Sequence, residues 1–125
     1  MNNPLALIIE DEQDVATLSS HVLKSLGFET EIIGLGDKAL ARLAVTAPDV
    51  VLLDLHLPHG VSGIDILHHI RADERLKATR VIIVTGQPHM AETLRDEADL
   101  VLLKPFSIDQ LSDLVARLRP GDTSD

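Results

Sequence analysis

The chain has no cysteine, tryptophan or tyrosine, and its only aromatic residues are Phe28 and Phe106. Without cysteine there is no disulfide, no thiol nucleophile and no thiolate metal site. Without tryptophan or tyrosine the core has to be aliphatic. Basic residues are scarce: 11 Lys and Arg stand against 20 Asp and Glu, a formal net charge of −9. Nucleic-acid backbones and anionic membrane surfaces are both bound through basic patches, so neither is an expected partner. The acidity serves solubility first. No apolar run is long enough to span a bilayer, and the N-terminus lacks the basic, apolar, small-residue order of an export signal. A cytoplasmic protein is the default expectation.

What is present fits one globular domain. The 125 residues are 45% hydrophobic and 25% charged, enough for a core of ordinary size. The domain is expected over residues 4–119, with flexible ends at 1–3 and 120–125 and no second, output domain.

Apolar stretches alternate with helical periods. Leu5–Ile9 reads as a strand covered on both faces. Val15, Leu18, Val22 and Leu26 give a period near 3.6, and Gly27 stops that helix. Phe28–Ile33 is a second strand. Asp37 is placed to cap a helix from Lys38 to Thr46. Val50–Leu53 is a third strand, followed by a loop with Pro58, Gly60 and Gly63 and a helix over Ile64–Ala72. Val81–Val84 leads to a short helix near Ala91–Asp96. Leu100–Leu103 leads through Pro105 to Ser107-x-x-Gln110, a capping-box pattern opening a last helix. Five strand–helix repeats predict an α/β fold, a doubly wound parallel sheet with helices on both faces. Its common five-stranded order is 2-1-3-4-5, the flavodoxin-like arrangement, with the ligand crevice between strands 1 and 3.

That order gathers the chemistry. Glu10 and Asp11 end the first strand, Asp54 the third, Thr85 the fourth and Lys104 the fifth. Carboxylates crowded in this way repel one another, and a divalent cation relieves them. An all-oxygen donor set favours Mg²⁺, with Mn²⁺ as substitute, over zinc. A hydroxyl and an ammonium beside such a metal suit a phosphoryl group, and a carboxylate can itself accept one as an aspartyl phosphate. Asp54 lies between the acid pair and the Thr/Lys pair, which makes it the candidate acceptor. The backbone carbonyl of His56 is a candidate further ligand.

The same residues carry a resemblance. Ile8-Ile9-Glu10-Asp11-Glu12, Val51-Leu52-Leu53-Asp54-Leu55-His56-Leu57-Pro58, Ile82-Ile83-Val84-Thr85-Gly86 and Lys104-Pro105-Phe106 resemble the receiver domain of two-component response regulators over roughly residues 4–119. The resemblance implies that Glu10 and Asp11 hold Mg²⁺ and that a histidine kinase or phosphotransfer protein phosphorylates Asp54. It further implies that Thr85 and Lys104 contact the phosphoryl group, that the Lys104–Pro105 bond is cis, and that the output passes to a downstream protein or a homodimer. Three departures from the family pattern stand out. The Asp54-to-Gly63 loop is one residue longer than usual, with His59-Gly60 as the extension, and the fourth helix is clipped. Val101 occupies the place of the usual switch aromatic, and a short β-branched side chain cannot make that ring's swing.

Plainer readings are available for each residue alone: Glu10-Asp11 as helix caps, Thr85 as a satisfied strand-end hydroxyl, Lys104 as a solvated edge charge. Their coincidence in one order favours the phosphoacceptor. Two alternatives remain. One is a Mg²⁺-dependent aspartyl phosphohydrolase, which wants an acid two after the nucleophile, where this chain has His56. The other is a receiver-like protein-interaction module with altered or phosphorylation-independent output. A histidine metal site is not expected, because the adjacent His68 and His69 point in different directions on a helix.

Overall fold

The structure is a computed structural model, and it describes residues 3–118. The expectation of loose ends at 1–3 and 120–125 falls, apart from Asn3, outside the described residues. Five parallel strands run in the order β2-β1-β3-β4-β5: β1 (Leu5–Ile9), β2 (Glu29–Ile33), β3 (Val50–Asp54), β4 (Arg80–Thr85) and β5 (Leu100–Leu103). The connections are α1 (Gln13–Ser25), α2 (Gly36–Leu43), α3 (Gly63–Ala72) and α4 (Pro88–Leu94), and α5 (Ile108–Arg117) closes the fold. The predicted doubly wound sheet and strand order are those observed.

The continuous apolar runs become the central strands because each of their faces meets a helical layer. Alternate residues go to opposite sides. Leu7, Ile9, Val51, Leu53, Val81 and Ile83 join Leu43, Ile66, Leu67 and Ile70 in one core, on the α2/α3 side. Ala6, Ile8, Val50, Leu52, Ile82 and Val84 join Ala16, Leu23, Leu111 and Val115 in the other, on the α1/α5 side. Fully burying one such Leu or Ile contributes about 1.5–3 kcal/mol. The aliphatic core replaces aromatic bulk by number: Phe28 is the one buried aromatic residue among those described.

Helix boundaries differ from expectation for local reasons. Asp37 does not cap α2. The cap position is Leu35, the helix starts at Gly36, and Asp37 sits in its first turn. Gly36 is placed there because a Cβ would run into the backbone of Val61. α4 begins three residues early, at Pro88 in the first turn, where a missing N–H costs nothing. A second capping box, Ser62 with Asp65, opens α3 beside the expected one of Ser107 with Gln110 on α5. The buried stripe of α1 is Ala16, Ser19, Ser20, Val22 and Leu23, while Val15, Leu18 and Leu26 are only half-buried. Ser20 reaches the core by sharing a 2.7 Å hydroxyl–hydroxyl bond with Thr30.

Candidate functional site

Register builds the site. Ile9 lies opposite Leu53, so Glu10 and Asp54 leave β1 and β3 side by side. Asp54 lies opposite Val84, which sets Thr85 one step further along β4. Thr85 lies opposite Leu103, which sets Lys104 one step beyond β5. The Lys104 N–H donates to the Thr85 carbonyl at 2.8 Å, locking that last step. The Lys104–Pro105 peptide bond is cis.

The five expected side chains therefore converge from four strand ends. Glu10 is 5% exposed, Asp54 3% and Thr85 0%, whereas Asp11 faces solvent. Glu10, Asp11 and Asp54 each offer a carboxylate oxygen, and these oxygens all lie within 4.8 Å of one another. Neither Glu10 nor Asp11 caps α1; the cap position is Glu12, and no side chain caps it. Asp54 Oδ1 accepts the His56 N–H at 2.9 Å, and its Oδ2 stands 3.4 Å from Lys104 Nζ. Thr85 Oγ1 accepts the Gln87 N–H at 3.1 Å, which leaves its own proton free to donate.

Burial pushes the Glu10 carboxyl up to about 7, helped by hydrogen bonding to Asp54 and by the charge of Asp54. The Glu12 N–H and Lys104 oppose that rise. Burial works against the Lys104 cation, but Glu12, Asp54 and Glu10 outweigh it and push its pKa up to about 12. One cation therefore faces several acids, and a buried carboxylate is driven toward protonation for want of positive charge. A hard divalent cation would supply that charge. Carboxylate oxygens, with no sulfur or imidazole among them, form the donor set Mg²⁺ takes.

Two features escaped the sequence reading. Glu12, the third acid of the run, puts its Oε1 3.0 Å from Lys104 Nζ. Gly63 abuts the end of β3: a Cβ there would collide with the Asp54 carbonyl oxygen and with Leu55. Glu12 was legible only as one more acid, because nothing in the sequence says which acids a distant lysine will choose. The Asp54-to-Gly63 loop holds two left-handed positions, His59 at φ 58° and Gly60 at φ 31°. All six histidines are exposed, and none belongs to a metal-capable cluster among the described residues. His68 instead pairs with Glu97 at 3.1 Å. Val101 is half-buried and packs against the α2/α3-side core.

The family model of the response regulator receiver domain matches residues 6–116. The chain belongs to this family. The receiver is 37% identical, over 117 residues, to the DNA-binding response regulator MtrA of Mycolicibacterium paratuberculosis; the match covers 93% of this chain and 52% of that protein. The chain thus spans about half the length of the curated relatives it matches. Among solved structures it resembles a CheY-like receiver domain from Methylobacillus flagellatus, with a TM-score of 0.83 and 28% identity over 94% of this chain and 100% of that one. It also resembles the response regulator TrrA of Thermotoga maritima in complex with Mg²⁺-BeF, with a TM-score of 0.81 and 28% identity over 92% and 98% of the two chains.

Proposed function

We propose that this receiver is the phosphoacceptor of a two-component phosphorelay, taking a phosphoryl group on Asp54 from a histidine kinase or phosphotransfer protein. The observation that carries the reading is the position of Asp54. It is a buried carboxylate whose oxygens lie within 4.8 Å of those of two further acids, with a lysine ammonium at 3.4 Å. Glu10, Asp11, Asp54 and the backbone carbonyl of His56 would hold Mg²⁺, for which Mn²⁺ can substitute. When bound, the ion neutralises the phosphoryl oxygens and the charge that develops during transfer. The His56 N–H fixes one oxygen of Asp54 and so orients the carboxylate. The Thr85 hydroxyl donates to one phosphoryl oxygen, and Lys104 neutralises another. The cis bond at Pro105 belongs to the turn that presents Lys104.

The receiver unit is taken as residues 4–119. It turns over no metabolite; its chemistry is its own phosphorylation and dephosphorylation. An open, mainly apolar groove of about 380 Å³ runs from Glu12 and Lys104 past Val15, Leu18, Pro105 and Phe106, which supports a protein as the phosphodonor. The output partner is a downstream protein or a second copy forming a homodimer, in the cytoplasm, with no nucleic acid or membrane bound by this domain itself. No helix among the described residues is long and apolar enough to cross a membrane. A second reading, a protein-interaction module with phosphorylation-independent output, is favoured by Val101 in the switch position.

The test is incubation with phosphoramidate, with and without Mg²⁺, followed by intact mass. The wild type gains one phosphoryl mass only with Mg²⁺, and Asp54→Ala gains none. Labelling that persists in Asp54→Ala, or its absence in the wild type, would falsify the reading.

A further inference from the structure

Glu12 is an exposed acid outside the metal-capable trio, yet it makes the shortest contact to Lys104. Its Oε1 is 3.0 Å from Lys104 Nζ, against 3.1 Å for Glu10 Oε1 and 3.4 Å for Asp54 Oδ2. The three acids differ in freedom. The side chains of Glu10 and Asp54 are 4% and 3% exposed, so they are fixed in the wall of the site, whereas that of Glu12 is 63% exposed. Glu12 occupies the N-cap position of α1 but its carboxylate caps nothing. The Lys104 ammonium is thus shared between two fixed acids and one movable one.

Resting on the phosphoacceptor reading, we propose that Glu12 is a positioning residue that holds the Lys104 ammonium in competition with the phosphoryl group arriving on Asp54. In the transfer from phosphoramidate, a carboxylate oxygen of Asp54 forms the O–P bond as the P–N bond breaks. The bonding pair leaves on nitrogen, which already carries its protons and departs as ammonia. The site then holds an acyl phosphate, more negative than the carboxylate it replaced, and Lys104 must turn to it. Glu10 cannot move away to release the lysine. Glu12 can, at the cost of its ion pair. Glu12 therefore sets how readily Lys104 becomes free for the phosphoryl group.

Two substitutions separate contact from charge. Glu12→Gln removes the charge. Glu12→Asp keeps it but shortens the arm by one methylene, so the carboxylate falls short of Lys104. Both should speed phosphorylation of the Mg²⁺-loaded protein by phosphoramidate about two- to fivefold, the range set by an exposed ion pair. The ratio of each variant's rate to the wild type's should fall toward one as KCl is raised, because salt screens the pair in the wild type. A merely structural role would not converge in this way. Equal rates for wild type and Glu12→Gln at low salt overturn the proposal, as does a Glu12→Asp that matches the wild type. A wild type that takes no label overturns the phosphoacceptor reading itself, and this shows before any variant is compared.

Discussion

Replacing Glu10 by Gln tests the electrostatics of the site without any phosphoryl chemistry. The Glu10 carboxyl stands near 7 in the fold, against 4.5 in the unfolded chain, because burial and Asp54 disfavour its charge. The folded state therefore holds the proton more tightly than the unfolded state, so stability falls as pH rises. The protonated contribution is fully present below about 4.5 and is lost as pH rises through about 7. One pKa unit is worth about 1.4 kcal/mol, so the wild type should lose about 2–3 kcal/mol from this group between pH 5 and 8. Glu10→Gln has nothing to ionise. Lys104 stays protonated throughout this range, with a pKa pushed up to about 12, so only Glu10 changes charge. The stability difference, variant minus wild type, should accordingly climb by about 2–3 kcal/mol from pH 5 to 8. Urea unfolding in EDTA measures it: with a slope near 1.5 kcal/mol/M, the midpoint gap widens by roughly 1.5–2 M. Excess Mg²⁺ at pH 8 should close part of the gap, since it stabilises the wild type through the acids it binds. A gap that stays flat with pH, or narrows, refutes the assignment of Glu10 as the strained carboxylate.

Mg²⁺ at a hundred times its dissociation constant should stabilise the wild type by about 2.7 kcal/mol. Asp11→Asn should bind it far more weakly by calorimetry, and equal affinities would remove Asp11 from the ligand set. Gly63→Ala should cost about 1–3 kcal/mol in urea unfolding, because the added Cβ meets the Asp54 and Leu55 backbone, which cannot yield. Gly86→Ala, whose Cβ meets nothing, is the control and should stay within about 0.5 kcal/mol. His56→Ala should change the lifetime of the phosphoryl group, because this exposed side chain follows Asp54 by two residues at the mouth of the site; equal dephosphorylation rates in both proteins would sink that role.

The strands were legible because they are buried on both sides, and a run such as Val50–Leu53 has no other use in a chain of this charge. Their order followed from the alternation with helices and from the handedness of crossovers. Strand order then brought Glu10, Asp54, Thr85 and Lys104 together with no contact known in advance. What stayed hidden depends on side chains reaching across the sheet. The buried stripe of α1 runs through Ser19 and Ser20, which a hydropathy pattern reads as surface. The start of α2 at Gly36 is set by Val61, in a loop 25 residues away in sequence. Glu12 and its ion pair with Lys104 span 92 residues, and no local pattern encodes such a choice.

If Asp54 is the phosphoacceptor, Thr85 and Val101 should decide where its modification is felt. The Thr85 hydroxyl is the partner of the Gln87 N–H, and Gln87 is the cap residue of α4. On the phosphoacceptor reading, a Thr85 rotated toward a phosphoryl group would give up that bond, and the first element to lose an anchor would be the start of α4. α4 is only seven residues long and buries just Ala91 and Leu94. Its hold on the core rests on Leu94, Ala91 and the partly buried Met90, of which the leucine alone contributes about 1.5–3 kcal/mol. On the other side, β5 is tied to β4 through the Lys104 N–H and the Thr85 carbonyl, a backbone bond that side-chain rotation does not disturb. Val101 packs against the α2/α3-side core and has a single stiff torsion, with no distal ring to reorient. On that reading, a signal starting at Asp54 would have a cheap route through Gln87 into α4 and an expensive one through β5.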